Sequence, residues 1–231
     1  FWLHKNSVAA IKLLRLKSLT FGGHIIDGVL VHTDRYHYLA WKQIAGEIGV
    51  PFDEKVNDRL RGVSRRESLE IILENCVEQP EEAESVRLLE KKNSIYRKLL
   101  EQLTPESVET SVRDTLEWLR QEKISMAVGS SSKNTEYILK KTDLVRYFDA
   151  VADGNMITRS KPDPEVFLKA AELIGVDPGG CIVVEDAVAG IQAAKAAGMY
   201  AVGIGEAAGY AETDYGIREL TELRRLILTQ N

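Results

Sequence analysis

From Asp27 onward the chain alternates between two hydrophobic patterns. Short apolar runs ending in small or acidic residues read as buried parallel strands: ISMAVGSSS (124–132), AVAD (150–153), CIVVEDA (181–187) and AVGIG (201–205). Between them, apolar positions recur at helical spacing in VRDTLEWLRQE, KNTEYILKKT, PEVFLKAAELIG and AGIQAAKAAG. Strands alternating with helices predict an α/β fold, a Rossmann-like doubly wound parallel sheet whose ligands sit at the carboxyl ends of the strands. A first strand is expected to end at Asp27-Gly28, in HIIDGV.

Residues 33–104 break the alternation. AWKQIAGEIG, VNDRLRG, RRESLEIILENC and EEAESVRLLEKKNSIYRKLLEQL carry the helical period, and no strand pattern intervenes. The expectation is a helical cap domain at 33–104, inserted into an α/β core made of 1–32 and 105–231.

Composition narrows the choices. A length of 231 residues suits one large domain, or a core with a smaller insertion. The net charge of −5 supplies no basic field, which argues against nucleic acid as a partner. No apolar run reaches the roughly 18 residues of a membrane helix. Cys76 and Cys181 stand in no metal or redox spacing and read as reduced thiols of a cytoplasmic protein. The first 26 residues contain no Asp or Glu but carry Lys5, Lys12, Arg15 and Lys17. That start fits a transit peptide, a membrane-surface helix or an extension without function.

Candidate chemistry collects at the strand ends. In GSSSKN, Ser130, Ser131 and Ser132 follow an apolar strand, and Lys133 and Asn134 open a helix. Hydroxyls and backbone N–H groups there suit an anion, although serines in this place also cap helices. In SKPDPEVF, Lys161 precedes two prolines that fix a turn, so it reads either as a phosphate contact or as a solvated lysine. Glu185 and Asp186 are adjacent carboxylates after the apolar CIVV. Buried acids need a compensating cation, and Mg²⁺ is the natural one; helix capping by Asp186 is the alternative.

The order of these groups is more specific than any one of them. Asp27-Gly28-Val29, Ser130, Lys161 and Glu185-Asp186 match, in sequence, the four motifs of the haloacid dehalogenase superfamily, which the chain resembles. Within it, TDRYHYLAWK, LRGVSRRESL, EKKNSIYRKLL, GSSSKN, SKPDPEVF and EDAVAGIQAAKAAGM resemble the β-phosphoglucomutase family. The resemblance implies a Mg²⁺-dependent monomer acting on a sugar phosphate. It would interconvert β-glucose 1-phosphate and glucose 6-phosphate through a glucose bisphosphate and an aspartyl-phosphate. It assigns Asp27 as general acid/base and metal ligand through its carbonyl, with Glu185 and Asp186 beside the metal. Ser130, Ser131 and Lys161 would hold the transferring phosphate, and Arg65, Ser132, Lys133 and Asn134 the other one. Thr33, His37, Gly62, Val63, Ser64, Ser68 and Lys92 would line the cap side. A bisphosphate that turns over needs two cradles, and Arg65, on a loop opened by Gly62, suits the second.

The chain departs from the family at its first motif. The strand should end Asp-x-Asp-Gly, and aligning Asp27 with the second Asp puts Ile25 at the nucleophile position. Isoleucine neither accepts a phosphoryl group nor binds a metal. His32 and Thr110-Ser111 depart as well, and Gly22-Gly23 interrupt the expected strand. The register is foreign before Asp27 and regular after it, as a frameshift or a fusion would leave it. The alternatives to a mutase are a sugar-phosphate-binding pseudoenzyme and a sugar-phosphate phosphatase.

Overall fold

The computed structural model describes residues 18–22, 30–76 and 78–228. Six strands form one sheet: β1 (Ser18–Gly22), β2 (Ser125–Gly129), β3 (Ala150–Ala152), β4 (Cys181–Glu185), β5 (Tyr200–Ile204) and β6 (Tyr215–Ile217). Their order is β3-β2-β1-β4-β5-β6, and every pairing is parallel. Helices α5 (Thr110–Gln121), α6 (Thr135–Lys141), α7 (Glu165–Ile174), α8 (Val188–Ala196) and α9 (Leu223–Leu228) follow β-to-β order in the core. Among the described residues no helix is long and apolar enough to cross a membrane.

Both faces of the sheet are buried, which is why its strands read as continuous apolar runs. Met126, Val128, Ile182 and Val184 belong to one apolar cluster with Leu116 and Leu119 of α5. Ala127, Val183 and Ala201 belong to another with Phe167 and Ala170 of α7. The strand β6 was not expected. Its three residues, YGI, are too short to carry a period, and it forms by adding to the free edge of β5.

The central strand corrects the sequence reading. The segment hydrogen-bonded between β2 and β4 is SLTFG, with Gly22 opposite Gly129 and Phe21 opposite Val184. The described strand covers Ser18–Gly22, and the predicted end at Asp27 lies beyond it. Residues 23–29, with Ile25 and Asp27, lie outside the described residues.

β1 also carries an unfavourable group. Thr20, in register with Ala127 and Val183, is fully buried, and its hydroxyl has no hydrogen-bond partner. An unsatisfied buried hydroxyl costs roughly 1–3 kcal/mol. Thr20→Val should therefore raise stability by about 1 kcal/mol in urea unfolding. A loss of stability would mean the hydroxyl is satisfied in solution.

The helical insertion consists of α1 (Asp34–Glu47), α2 (Glu54–Asp58), α3 (Arg65–Leu73) and α4 (Glu82–Leu100). Trp41, Ile44, Leu60, Leu69, Ile72 and Leu88 give it an apolar cluster of its own. α1 packs along α4, and α4 carries the cap back to the core.

Candidate active site

A cavity of about 990 Å³ opens between the cap and the carboxyl ends of the strands. Most of the predicted site residues line it. Ser130, Ser131, Ser132, Lys133, Asn134 and Lys161 come from the core side; His37, Gly62, Val63, Ser64, Arg65, Ser68 and Lys92 come from the cap. Thr33, Glu185 and Asp186 are not in its lining.

The core wall starts where β2 ends. The Ser130 N–H donates to the Ala152 carbonyl (2.9 Å), and the Ser130 hydroxyl accepts from the Ser132 N–H (3.1 Å). The Ser132 hydroxyl in turn accepts from the Asn134 N–H (3.2 Å). This ladder of hydroxyl–backbone bonds folds the serine run into a tight turn, and α6 begins only at Thr135. The buried Ser131 hydroxyl has no hydrogen-bond partner. Gly154 is needed beside the turn, because a Cβ there would collide with the Ser131 carbonyl. Asn134 also reaches the cap, its side-chain amide donating to Asn93 on α4 (3.0 Å).

Behind this turn lies a buried ion pair. The Lys161 ammonium donates to the Glu185 carboxylate, and neither side chain is exposed to solvent. The second carboxylate oxygen accepts from the Asp186 (3.0 Å) and Ala187 (3.2 Å) N–H groups. Lys161 sits over the Phe167 ring at 4.5 Å. α8 approaches so closely that a Cβ on Gly190 would overlap the Glu185 carboxyl group. Glu185 is thereby locked from three sides, and it fixes Lys161 at the edge of the cavity. The Glu165 carboxylate accepts from the Arg159 (2.8 Å) and Thr158 (3.1 Å) N–H groups, which hold its pKa below the usual value and pin the loop ahead of α7.

The cap wall carries several cations, among them Arg65 and Lys92. Gly62, at φ +83°, turns the chain into α3, whose first turn is closed by a capping box between Ser64 and Glu67. Arg65 follows on this fixed helix start. Burial pushes its guanidinium pKa down, and among the described residues no carboxylate pairs with it. A desolvated cation facing a cavity favours an anionic ligand. Lys92, 2% exposed, lies 2.8 Å from His37 Nδ1 and over the rings of Tyr96 (4.6 Å) and Trp41 (5.0 Å). An ammonium only donates, so Nδ1 accepts and a neutral His37 keeps its proton on Nε2. Thr33 shares a hydrogen bond with the Tyr96 hydroxyl (3.2 Å), which stacks the Tyr96 ring 4.0 Å from His37.

The predicted metal set is only partly in place. Glu185 is committed to Lys161 and two backbone N–H groups, Asp27 is outside the described residues, and Asp186 follows Glu185 at the strand end. Among the described residues no group of three His, Cys, Asp or Glu side chains could hold a metal ion.

Sequence reasoning passed over several cavity residues. Trp41 read as helix core, and Arg61, Asn57 and the Ile157–Ser160 loop carried no motif. The Arg-Gly pair at 61–62, ahead of a capping box, was the available signal for Arg61.

Comparison with known proteins fits this architecture. Residues 26–198 match the family model of haloacid dehalogenase-like hydrolases. The β-phosphoglucomutase of Bacillus subtilis is 40% identical over 200 residues, 86% of this chain and 88% of that protein. A phosphorylated carbohydrates phosphatase of Thermotoga maritima is 33% identical, over 75% of this chain and 79% of its own. The crystal structure of a Clostridium difficile β-phosphoglucomutase superposes with a TM-score of 0.86 at 33% identity, covering 93% of this chain and 96% of that one. On fold, motif order and sequence alike, the chain belongs to the haloacid dehalogenase-like hydrolases, a family of enzymes.

Proposed function

We propose that the chain is built as a β-phosphoglucomutase, a core of residues 1–32 and 105–231 under a cap of 33–104, that interconverts β-glucose 1-phosphate and glucose 6-phosphate through a bisphosphate. The observation that carries this reading is one cavity with anion-binding groups on opposite walls: Ser130 and Lys161 on the core, Arg65 on the cap. A phosphatase needs one such cradle; a bisphosphate that reorients between half-reactions needs both. Ser130, Lys161 and the Ser131 N–H would hold the transferring phosphate, while Arg65, Ser132, Lys133 and Asn134 would hold its counterpart. His37 and Lys92 would orient the sugar beneath the cap, and Asp27 would move the proton. Members of the family generally use Mg²⁺, which when bound neutralises charge on the transferring group; Asp27, Glu185 and Asp186 would hold it.

Arg65→Ala is the direct test. A charge-assisted contact is worth about 1.5–3 kcal/mol, so the variant should bind glucose 1,6-bisphosphate roughly 10- to 100-fold more weakly by calorimetry. Binding of inorganic phosphate should change little. Equal losses for both ligands would remove Arg65 from the second cradle, and the mutase reading with it.

A second reading, sugar-phosphate binding without turnover, rests on the strand end. A phosphoryl acceptor would belong at the end of the central strand; the sequence puts Ile25 at that position, and the last described residue of the strand, Gly22, has no side chain to offer.

A further inference from the structure

Arg61 is a cavity-lining cation held in an unusual way. Its guanidinium lies 3.7 Å from Asp34, 3.7 Å from Asp58 and 3.8 Å from Glu206, each beyond hydrogen-bond length. Its buried Nε has no hydrogen-bond partner. Asp34 and Asp58 belong to the cap, whereas Glu206 belongs to the core, on the short 3₁₀ turn Gly205–Gly209 after β5. That turn is rigidly seated. A Cβ on Gly203 would overlap the Ala207 backbone, and one on Gly216 would come within 2.5 Å of the Ala208 carbonyl oxygen, so the turn lies directly on β5 and β6.

The two ends of this ion pair therefore differ. Glu206 is anchored to the sheet. Arg61 immediately precedes Gly62, where the cap loop turns into the helix start that carries Arg65. Other contacts between cap and core, Asn134 with Asn93 and the Arg97 guanidinium 4.3 Å over the Tyr137 ring, lie along α4. Of the Arg61–Glu206 pair, Arg61 lines the cavity and Glu206 does not. We infer that Arg61 and Glu206 form an electrostatic clasp between cap and core, which seats the Arg65 loop over the cavity. Arg61 is thus a positioning residue for that loop. Its three carboxylates sit at a distance where screening and small displacements decide the strength, so the clasp is weak and salt-sensitive by construction.

The test is hydrogen exchange of the backbone amides of residues 60–67 in the ligand-free protein, which does not depend on the sugar-phosphate reading. Glu206 is 68% exposed, so its replacement leaves packing intact, and unchanged circular dichroism and melting confirm that. Glu206→Gln should speed exchange in this loop about two- to fivefold, the range of an exposed ion pair, and Glu206→Lys should speed it further. High salt should accelerate the loop in the parent protein and leave Glu206→Gln nearly unchanged. In an Arg61→Gln background, Glu206→Gln should add nothing, since the coupling is already gone. Unchanged exchange in Glu206→Gln, or the same acceleration with and without Arg61, would overturn the clasp. If Arg61→Gln alone weakened bisphosphate binding while loop exchange ignored Glu206, Arg61 would be a direct ligand instead.

Discussion

Gly22→Asp should raise mutase turnover by on the order of 10³-fold or more, while Ile25→Asp should leave it near the parent level. Removing a covalent nucleophile costs several orders of magnitude in other enzymes, and restoring one should recover a comparable factor. The choice of position comes from the sheet. Gly22 pairs with Gly129 and Phe21 with Val184, so the last described residue of the central strand, one step short of Ser130 on its neighbour, is Gly22. Residues in register on parallel strands share a face, and on this face Gly129 meets the Phe167 ring over which Lys161 sits. A carboxylate at position 22 is therefore expected on the sheet face that Phe167 covers. It would also add an acidic ligand beside Asp186, so Mg²⁺ binding by calorimetry should tighten in the same variant. The assay is turnover of β-glucose 1-phosphate with Mg²⁺ and a bisphosphate primer. If Ile25→Asp gained activity and Gly22→Asp did not, the acceptor would belong to the segment after the strand. If the parent chain already turned over at an ordinary 1–10³ s⁻¹, neither assignment would stand.

Gly190→Ala is expected to destabilise the fold by about 3 kcal/mol or more, the cost of breaking a buried ion pair. Within a helix, glycine to alanine normally stabilises by about 0.5–1 kcal/mol, so the sign itself is diagnostic. The reversal arises because the added methyl would occupy the volume of the Glu185 carboxyl group. Displacing that group unpairs Lys161 inside the protein, where neither side chain reaches water. Shortening the acid makes room again, so Glu185→Asp in the Gly190→Ala background should recover part of the loss. Urea unfolding measures both. A Gly190→Ala protein within about 1 kcal/mol of the parent would show that α8 can slide away from β4 at little cost.

Much of the core was legible in the sequence because its signals are local. CIVVE and SMAVG are apolar on both faces, as a doubly covered strand requires, and GSSSKN, SKPDP and VVED stand at their ends in order. The helical stretch from α1 to α4 was equally plain. What escaped depends on partners far away in the chain. β6 is three residues whose only cause is the edge of β5. The central strand was read from HIID, which looks more apolar than SLTFG; that SLTFG pairs between β2 and β4 depends on strands far away in the chain. Glu185 and Asp186 looked alike as metal ligands; only the fold reveals that Lys161 and Gly190 have already claimed Glu185. The pairing of Arg61 with Glu206 carries no pattern in the sequence, since one lies on the cap and the other after β5.

The placement of the apolar clusters also sets an order of assembly. The cap cluster draws on residues between Trp41 and Leu88, a short and nearly continuous piece of chain. β1 closes only when Ser18 meets Ser125 on one side and Cys181 on the other. Local contacts form quickly and distant ones wait for loop closure, so the cap should gather while the ribosome is still making the sheet. β1, the first of the described strands to be translated, is thus among the last to find its place, and until then its edges are exposed to whatever else is nearby.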